Sequence, residues 1–271
     1  MVIREFDVEL PDGRTLHGYD TGEEDRANPL TVVWHHGTPN IGTPPGPLFP
    51  TAERLGIRWL GYDRPSYGGS SPHPGRDVGS ASGDTAAIAD AAEVDRFAVM
   101  GHSGGGMHAL ACAALLPHRV STVVGVSALA PFDAEGLDWF AGMAPGGVAT
   151  LQAAAAGREA KERYEASAPE GDPGFNDADF AALAGEWSWF NSVVGPAMRA
   201  GPAGLIDDDL AYVNPWGFDP SVVQVPVLLV HGGQDRIAPV AQAEWLARRI
   251  PNAAATGPSA SSASINVVAL R

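Results

Sequence analysis

The sequence has little of what defines secreted and membrane proteins. Its 271 residues include one cysteine, so no internal disulfide can form and a reducing compartment is favoured. No apolar run approaches the length of about 20 residues that a membrane-spanning helix needs. The first residues alternate between charged and apolar, unlike the apolar segment of a secretory signal. We therefore expect a cytoplasmic protein that does not enter a membrane.

Basic residues are also scarce. Lysine and arginine together number 17 against 32 acidic residues, which gives a formal net charge of −15. A chain of this charge repels phosphate backbones, so we expect no nucleic-acid partner. Apolar residues make up 45% of the chain, which is enough for a large core. The length suits one α/β domain that carries an insertion.

The stretch from residue 97 to 106 carries the clearest chemical signal. It predicts a short apolar strand, a tight turn and the start of a helix, and Gly101-His102-Ser103-Gly104-Gly105 fits the pattern G-x-S-x-G. Glycines on both sides of the serine leave room for a strained turn that raises the hydroxyl above the sheet edge. The positive end of the helix lies at the same place. Such a hydroxyl is suited to nucleophilic attack, whereas the plainer alternative is a glycine-rich connection.

Hydrophobic patterning elsewhere predicts alternating strands and helices. Alternating residues on both sides of Pro11-Asp12-Gly13 indicate an antiparallel hairpin at a sheet edge, followed by a charged loop at residues 22–29. Continuous apolar runs predict strands that are buried on both faces, at residues 30–35, 58–62, 97–100, 120–128 and 225–230. These patterns predict an α/β fold with a mostly parallel sheet.

Four motifs follow one another along the chain. They are His36-Gly37-Thr38-Pro39, Asp63-Arg64-Pro65-Ser66-Tyr67-Gly68-Gly69-Ser70, Gly101 to Gly105, and His231-Gly232-Gly233-Gln234-Asp235. With these motifs in this order, residues 1 to about 252 resemble the α/β-hydrolase fold family. The resemblance implies an eight-stranded, mostly parallel sheet with helices on both faces and an inserted helical cap. It also implies a serine hydrolase that acts on a small molecule and needs no metal or organic cofactor.

The resemblance assigns roles to individual residues. Ser103 is the nucleophile, and the backbone N–H groups of Thr38 and Gly104 hold the oxyanion. Two such fixed donors make chemical sense, because one can lower a barrier by about 3 kcal/mol. Asp235, just after a strand, is the acid that orients a histidine, and Asp133 is the alternative acid. His36 and His231 are interpreted as structural.

The pattern changes between residues 131 and 219, where no strand is predicted. We interpret this segment as the helical cap, between core segments 1–130 and 220–252. Its aromatic residues either line an apolar pocket or form the core of the cap itself. Three consecutive acids, Asp207-Asp208-Asp209, predict an exposed helix start or turn, since a metal site would need better separated ligands.

The end of the chain departs from the family pattern. The family places a last strand near residues 253–258 and the triad histidine shortly after it. Residues 253–271 form an atypical tail, rich in serine and alanine, that makes the last strand doubtful. No histidine follows the one at 231, although the chain has eight, at 17, 35, 36, 73, 102, 108, 118 and 231.

Three explanations remain for this departure. The tail is out of register, as after a frameshift, or the protein is a non-catalytic relative that kept the pocket, or another group is the base. The sequence therefore predicts a serine hydrolase that forms an acyl-enzyme from a small ester or related carbonyl substrate, with impaired turnover. The alternatives are a ligand-binding relative on the same scaffold and a cofactor-free haloperoxidase or perhydrolase. The natural substrate and the oligomeric state stay open.

Overall fold

The fold is built on one sheet of eight strands. The computed structural model describes residues 1–22, 29–167 and 174–256. Its strands are β1 (Arg4–Glu9), β2 (Thr15–Asp20), β3 (Leu30–His35), β4 (Ile57–Tyr62), β5 (Phe97–His102), β6 (Val120–Val126), β7 (Val227–Val230) and β8 (Ala253–Thr256). Their order across the sheet is β1-β2-β4-β3-β5-β6-β7-β8. Only the β1–β2 and β2–β4 pairs are antiparallel. The predicted eight-stranded, mostly parallel sheet is confirmed.

Helices connect the parallel strands. They are α1 (Phe49–Leu55), α2 (Ala81–Ala91), α3 (Gly104–Leu115), α4 (Pro145–Ala155), α5 (Arg158–Ser167), α6 (Asp177–Ala184), α7 (Asn191–Ala197), α8 (Ala203–Val213) and α9 (Val240–Arg249). None of the helices in the described residues is long and apolar enough to cross a bilayer. Five of them, α4 to α8, follow β6 and precede β7.

The central strands are buried on both faces. Successive side chains of a strand point to opposite sides of the sheet. In β3, Val33 belongs to one core cluster with Leu110 of α3, whereas Val32 and Trp34 belong to another with Ala52 of α1. This double burial explains why β3 is a continuous apolar run, as predicted for a parallel strand between two helical layers.

Helix α3 lies close to the sheet because its first residues are small. A Cβ on Gly105 would come within 2.0 Å of the His35 carbonyl oxygen, so no other residue fits there without a backbone shift. Further along the helix, Cys112 is fully buried. Burial raises the pKa of its thiol to about 12, and the side chain contacts Thr85. The cysteine is therefore a packed core residue.

The last strand, which the sequence made doubtful, is present. β8 pairs in parallel with β7, from Val227 opposite Ala253 to Val230 opposite Thr256. The ladder is a backbone structure, so a run of alanines can join it although it shows no strand pattern. The doubt about the last strand is resolved by residues 253–256, which complete the predicted eight-stranded sheet. The rest of the predicted tail, 257–271, lies outside the described residues, as do 23–28 of the predicted loop and 168–173 of the predicted cap.

The segment between β6 and β7 is helical in its described part, with no strand there. This agrees with the expectation for residues 131–219, whereas the treatment of this segment as a separate cap, with the boundaries given above, stays a prediction. Two of its tryptophans, Trp139 and Trp216, are buried with Met107 of α3 in a shared core. The segment is therefore packed onto the rest of the fold through a common apolar interior.

The three consecutive acids do not form an exposed turn. Asp207, Asp208 and Asp209 lie inside α8 and all are buried. Consecutive residues on a helix point about 100° apart, so each acid meets a different partner. Asp207 contacts Arg158 of α5, and Asp209 pairs with Lys161, which also belongs to α5. The expectation of exposure was wrong, because the helix is surrounded by cationic side chains on several sides.

Candidate active site

Ser103 lies on the turn between β5 and α3. Its backbone has a positive φ of 53°, a conformation that costs about 1–3 kcal/mol for a residue other than glycine. The turn is held by the Ser103 N–H, which donates to the Val126 carbonyl oxygen at 2.7 Å. A Cβ on Gly101 would lie 2.1 Å from the Gly105 carbonyl oxygen, so the first glycine of the G-x-S-x-G pattern is required because no side chain fits there. The predicted strand, tight turn and helix are therefore all present.

Thr38 and Gly104 meet beside this turn. β3 and β5 are parallel neighbours with His35 opposite Gly101, so the residues that follow them reach the same edge of the sheet. A Cβ on Gly104 would lie 2.9 Å from Thr38 Oγ1. The structure thus places Thr38 next to Gly104, the residue that follows Ser103, and Thr38 and Ser103 line the same cavity.

Asp235 follows β7 at the same edge. Its Oδ1 accepts hydrogen bonds from the backbone N–H groups of Ile237 at 2.8 Å and Ala238 at 2.9 Å. Burial raises the pKa of the Asp235 carboxyl, and nearby His231 and these donors offset part of the rise. Strands β5 and β7 are separated only by β6, so Ser103 and Asp235 follow strands about 10 Å apart.

The alternative acid lies elsewhere. Asp133 borders a different cavity, of about 480 Å³, together with Glu135 and Trp216. Ser103 instead borders a cavity of about 330 Å³ in which Ile237, two residues after Asp235, forms part of the wall. The geometry favours Asp235 as the acid of the candidate site.

Within the described residues, Ser103 Oγ makes no hydrogen bond to a histidine ring. His36 is held on both sides, because its Nδ1 donates to the Gly37 carbonyl oxygen at 2.8 Å and its Nε2 accepts from the Arg64 N–H at 3.0 Å. Burial, with the charge of Arg64, lowers the pKa of His36 well below its ordinary value. The ring is therefore neutral and braces the loop after β3.

Two other histidines also brace backbone. His108 Nδ1 donates to the Gly104 carbonyl oxygen at 2.8 Å, and His231 Nε2 donates to the Ala238 carbonyl oxygen at 2.5 Å. Burial lowers the pKa of both rings. These contacts support the structural interpretation of His231 and give His108 the same role.

The cavity at Ser103 has a mainly apolar wall. Its polar edge includes Thr38 and His102, whose ring lies 5.4 Å from that of Phe190. The apolar wall comes chiefly from the segment between β6 and β7 and is formed by Phe175, Leu183, Phe190, Val194 and Ile237. The sequence left open whether the aromatic residues of segment 131–219 line a pocket or form a core. Both occur, since Phe190 lines the cavity and Trp139 belongs to a core.

A buried charge cluster stands behind Thr38, and the sequence did not reveal it. Asp208 Oδ2 accepts from Arg64 Nη2 at 2.6 Å, and Asp208 Oδ1 accepts from Arg76 Nη2 at 2.6 Å. Burial alone would raise the pKa of this carboxyl, but the two guanidinium groups outweigh it and hold the pKa well below its ordinary value. One feature of the sequence could have indicated this cluster. The three acids stand among apolar residues of one helix, which is unusual for a solvated turn.

In the part of the chain that the structure describes, no group of three or more His, Cys, Asp or Glu side chains is placed to hold a metal ion. The charges near the site instead pair with one another.

Comparisons with known proteins agree with this architecture. A family model described as alpha/beta hydrolase fold matches residues 31–257. A non-heme chloroperoxidase of Streptomyces lividans is 28% identical over 242 residues, 87% of this chain and 84% of that protein. The enol-lactonase from Burkholderia xenovorans LB400 superposes with a TM-score of 0.70 at 21% identity, over 97% of this chain and 93% of that one. A thermophilic esterase from Thermogutta terrifontis gives 0.67 at 20% identity, over 94% and 89%.

Proposed function

Because this chain belongs to the alpha/beta hydrolase fold family, we propose that it is a serine hydrolase that acts on a small, largely apolar ester through an acyl-enzyme. The observation that carries the proposal is the placement of Ser103 at a positive φ, beside Thr38 and Gly104 and at the wall of the cavity. A hydroxyl on a strained turn, at a cavity wall and next to two backbone donors, is what acyl transfer requires.

The reaction begins with the attack of Ser103 Oγ on the acyl carbon. The carbonyl oxygen becomes an oxyanion that accepts from the N–H groups of Thr38 and Gly104. The alcohol then leaves as the acyl-enzyme forms, and water hydrolyses that ester. Without a histidine, the hydroxyl proton goes to solvent and the alcohol takes one from solvent.

Turnover is therefore slow in this proposal. The sequence holds no histidine after His231, and the rings of His36, His108 and His231 are bound to backbone carbonyl oxygens. Loss of the histidine from a triad can cost about 10⁶-fold in kcat, while about 10³–10⁴-fold over water remains from the oxyanion donors and binding. The imidazole beside Asp235 is that of His231, with its Nε2 at 3.6 Å from Asp235 Oδ2, and this ring is held by the Ala238 carbonyl oxygen.

The substrate class is argued from the cavity. A volume of about 330 Å³ with a mainly apolar wall suits a short acyl or alkyl group. The enol-lactonase and the esterase among the similar structures support a substrate with an ester-type carbonyl.

The first test is hydrolysis of p-nitrophenyl butyrate by the 271-residue chain and by Ser103→Ala. We expect a butyryl ester on Ser103 of the parent, detected as a mass increase of the protein, and none on the variant, whereas slow release of about 10³–10⁴-fold over water persists in both because the oxyanion donors and binding supply it. Circular dichroism of both proteins controls for folding. A folded parent that acquires no acyl group at Ser103 would reject the proposed hydrolase.

A ligand-binding protein on the same scaffold is the second candidate. It is favoured by the lack of a histidine after His231 together with the intact cavity. Such a protein would bind butyrate esters saturably, with the same affinity in Ser103→Ala, and would release no product.

A third candidate is a cofactor-free haloperoxidase, which the 28% identical chloroperoxidase supports. Such an enzyme would show chlorination that depends on both peroxide and chloride.

A further inference from the structure

We propose that Tyr212 and Asp208 of α8 are positioning residues that fix Thr38 in the loop after β3. The inference rests on the proposed function only in taking the Thr38 N–H as an oxyanion donor. It adds that a helix from the segment between β6 and β7 sets where that donor points.

The hydroxyl of Thr38 has every bonding position filled. Thr38 Oγ1 donates to Asp208 Oδ2 at 2.5 Å and lies 2.6 Å from the Tyr212 hydroxyl. Because its single proton goes to the carboxylate, the Tyr212 hydroxyl is the donor in the second bond. Arg64 Nη2 also donates to Thr38 Oγ1, at 3.2 Å. A side chain bound on all sides has one rotamer, and its own backbone is held with it.

The acceptor of this bond is rigid in turn. Asp208 has no exposed side-chain surface and pairs with Arg64 and Arg76. Tyr67 donates its hydroxyl to the same Oδ2 at 2.9 Å. Charge-assisted bonds in a buried site are strong and directional. Asp208 is thus a fixed anchor for Thr38.

Tyr212 reaches both oxyanion residues at once. A Cβ on Gly104 would lie 1.9 Å from the Tyr212 oxygen, so this hydroxyl packs directly on the Gly104 backbone while it donates to Thr38. Among the described residues, Thr38 lines the cavity at Ser103 but Tyr212 does not. Tyr212 therefore acts through Thr38 and Gly104 and does not touch the substrate.

The chain offers a matched control in Tyr67. Both tyrosines are buried and both give a hydrogen bond to the same cluster. Tyr67 reaches Asp208, whereas Tyr212 reaches Thr38. Tyr67→Phe and Tyr212→Phe each remove one buried hydroxyl, so a general loss of stability affects both variants. Without the Tyr67 hydroxyl, Asp208 still pairs with Arg64 and Arg76 and still accepts from Thr38. Loss of Thr38 positioning therefore affects only Tyr212→Phe.

The decisive measurement is the ¹⁵N order parameter of the Thr38 backbone N–H, which requires no catalysis. We expect about 0.85 in the parent and in Tyr67→Phe, and below about 0.6 in Tyr212→Phe. An unchanged value in Tyr212→Phe, or an equal fall in both variants, would overturn the inference. If Tyr212→Phe does not fold, Thr38→Val removes the same bonds and predicts the same fall, whereas Thr38→Ser keeps the hydroxyl and the parent value.

Kinetics with p-nitrophenyl butyrate separate this inference from the proposed function. With measurable turnover, Tyr212→Phe lowers kcat about tenfold or more with KM unchanged, because the donor is used in the transition state. Failure of the hydrolase proposal appears as a folded parent with no acyl group at Ser103, and leaves the order-parameter result standing by itself.

Discussion

At the scale of single residues, space around the backbone decides the turn that carries Ser103. The glycines before and after the serine are required by close contacts, since Gly101 faces the carbonyl oxygen of Gly105. The turn at Ser103 was predictable from the sequence, because glycines two residues before and two residues after a serine indicate a backbone too crowded for side chains. The partners of Thr38 were not predictable, because Asp208 and Tyr212 are about 170 residues away along the chain.

The crowding gives a sharp prediction for Gly101→Ala. Its Cβ would lie 2.1 Å from a carbonyl oxygen and 2.6 Å from the Gly106 nitrogen, so β5 and α3 must separate. We expect a loss of about 4 kcal/mol or more in the free energy of unfolding, measured by urea denaturation.

Gly83→Ala is its matched control. Gly83 lies in α2 and a Cβ there meets nothing within 4 Å, so we expect a gain of about 0.4–1 kcal/mol. A Gly101→Ala protein within 1 kcal/mol of the parent would contradict the steric account of the turn.

At the scale of elements, α8 connects parts of the chain that are far apart in sequence. Through Asp207 and Asp209 it contacts α5, and through Asp208 it contacts the loops that follow β3 and β4. Sequence patterning predicted every strand except β8, and the helix after Ser103, since these patterns are local. It misjudged α8 because helical acids are usually solvated, and only the tertiary partners show that these three are not.

The pair of Lys161 and Asp209 provides the test at this scale. Lys161 has no exposed side-chain surface and lies 2.6 Å from Asp209 and 2.5 Å from Glu165. Lys161→Met leaves the acids without their cation, so we expect a loss of about 3–5 kcal/mol in the free energy of unfolding.

The double variant Lys161→Met/Asp209→Leu removes both charges and should recover part of that loss, because an apolar pair needs no desolvation of ions. Thermal and urea unfolding of the single and double variants measure the recovery. A double variant less stable than Lys161→Met would show that burial of the pair is not the controlling factor.

At the scale of the whole molecule, the sheet and the order of its motifs were predictable, and the long-range charge pairing was not. The last strand shows why, since residues 253–256 carry no strand pattern and join the sheet through backbone hydrogen bonds to β7. The candidate site divides in the same way. Ser103, Thr38, Gly104 and Asp235 were found from local motifs, whereas the cavity wall depends on how distant helices pack.

Acid unfolding should report on the Asp208 cluster. Burial opposes ionisation of Asp208, but Arg64 and Arg76 outweigh it and lower the pKa. A carboxyl with a lowered folded-state pKa stabilises the fold above its unfolded pKa of about 4, and that contribution is lost as the pH falls below it. Asp208→Asn should therefore be less stable than the parent by about 3–5 kcal/mol at pH 7.

The difference between the two proteins should shrink as the pH falls from 5 toward 3. Urea denaturation of both proteins at several pH values measures it, and Asp219→Asn is a control at an exposed acid. A difference that stays constant over this range would mean that Asp208 does not stabilise the fold through its charge.

The residues that line the cavity and the helix that positions Thr38 lie in separate parts of the segment between β6 and β7. This separation affects how the substrate preference of such a protein can change. The apolar residues that face Ser103 from the segment between β6 and β7 all fall within residues 175–194, whereas α8 begins at Ala203. A transplant of residues 174–200 from a relative would exchange the apolar wall of the cavity and leave Ser103, Thr38 and Gly104 unchanged. A transplant that continues through α8 would also replace Asp208 and Tyr212, the residues that position Thr38. Residue 202 is therefore the boundary between the part of the segment that lines the cavity and the helix that positions Thr38.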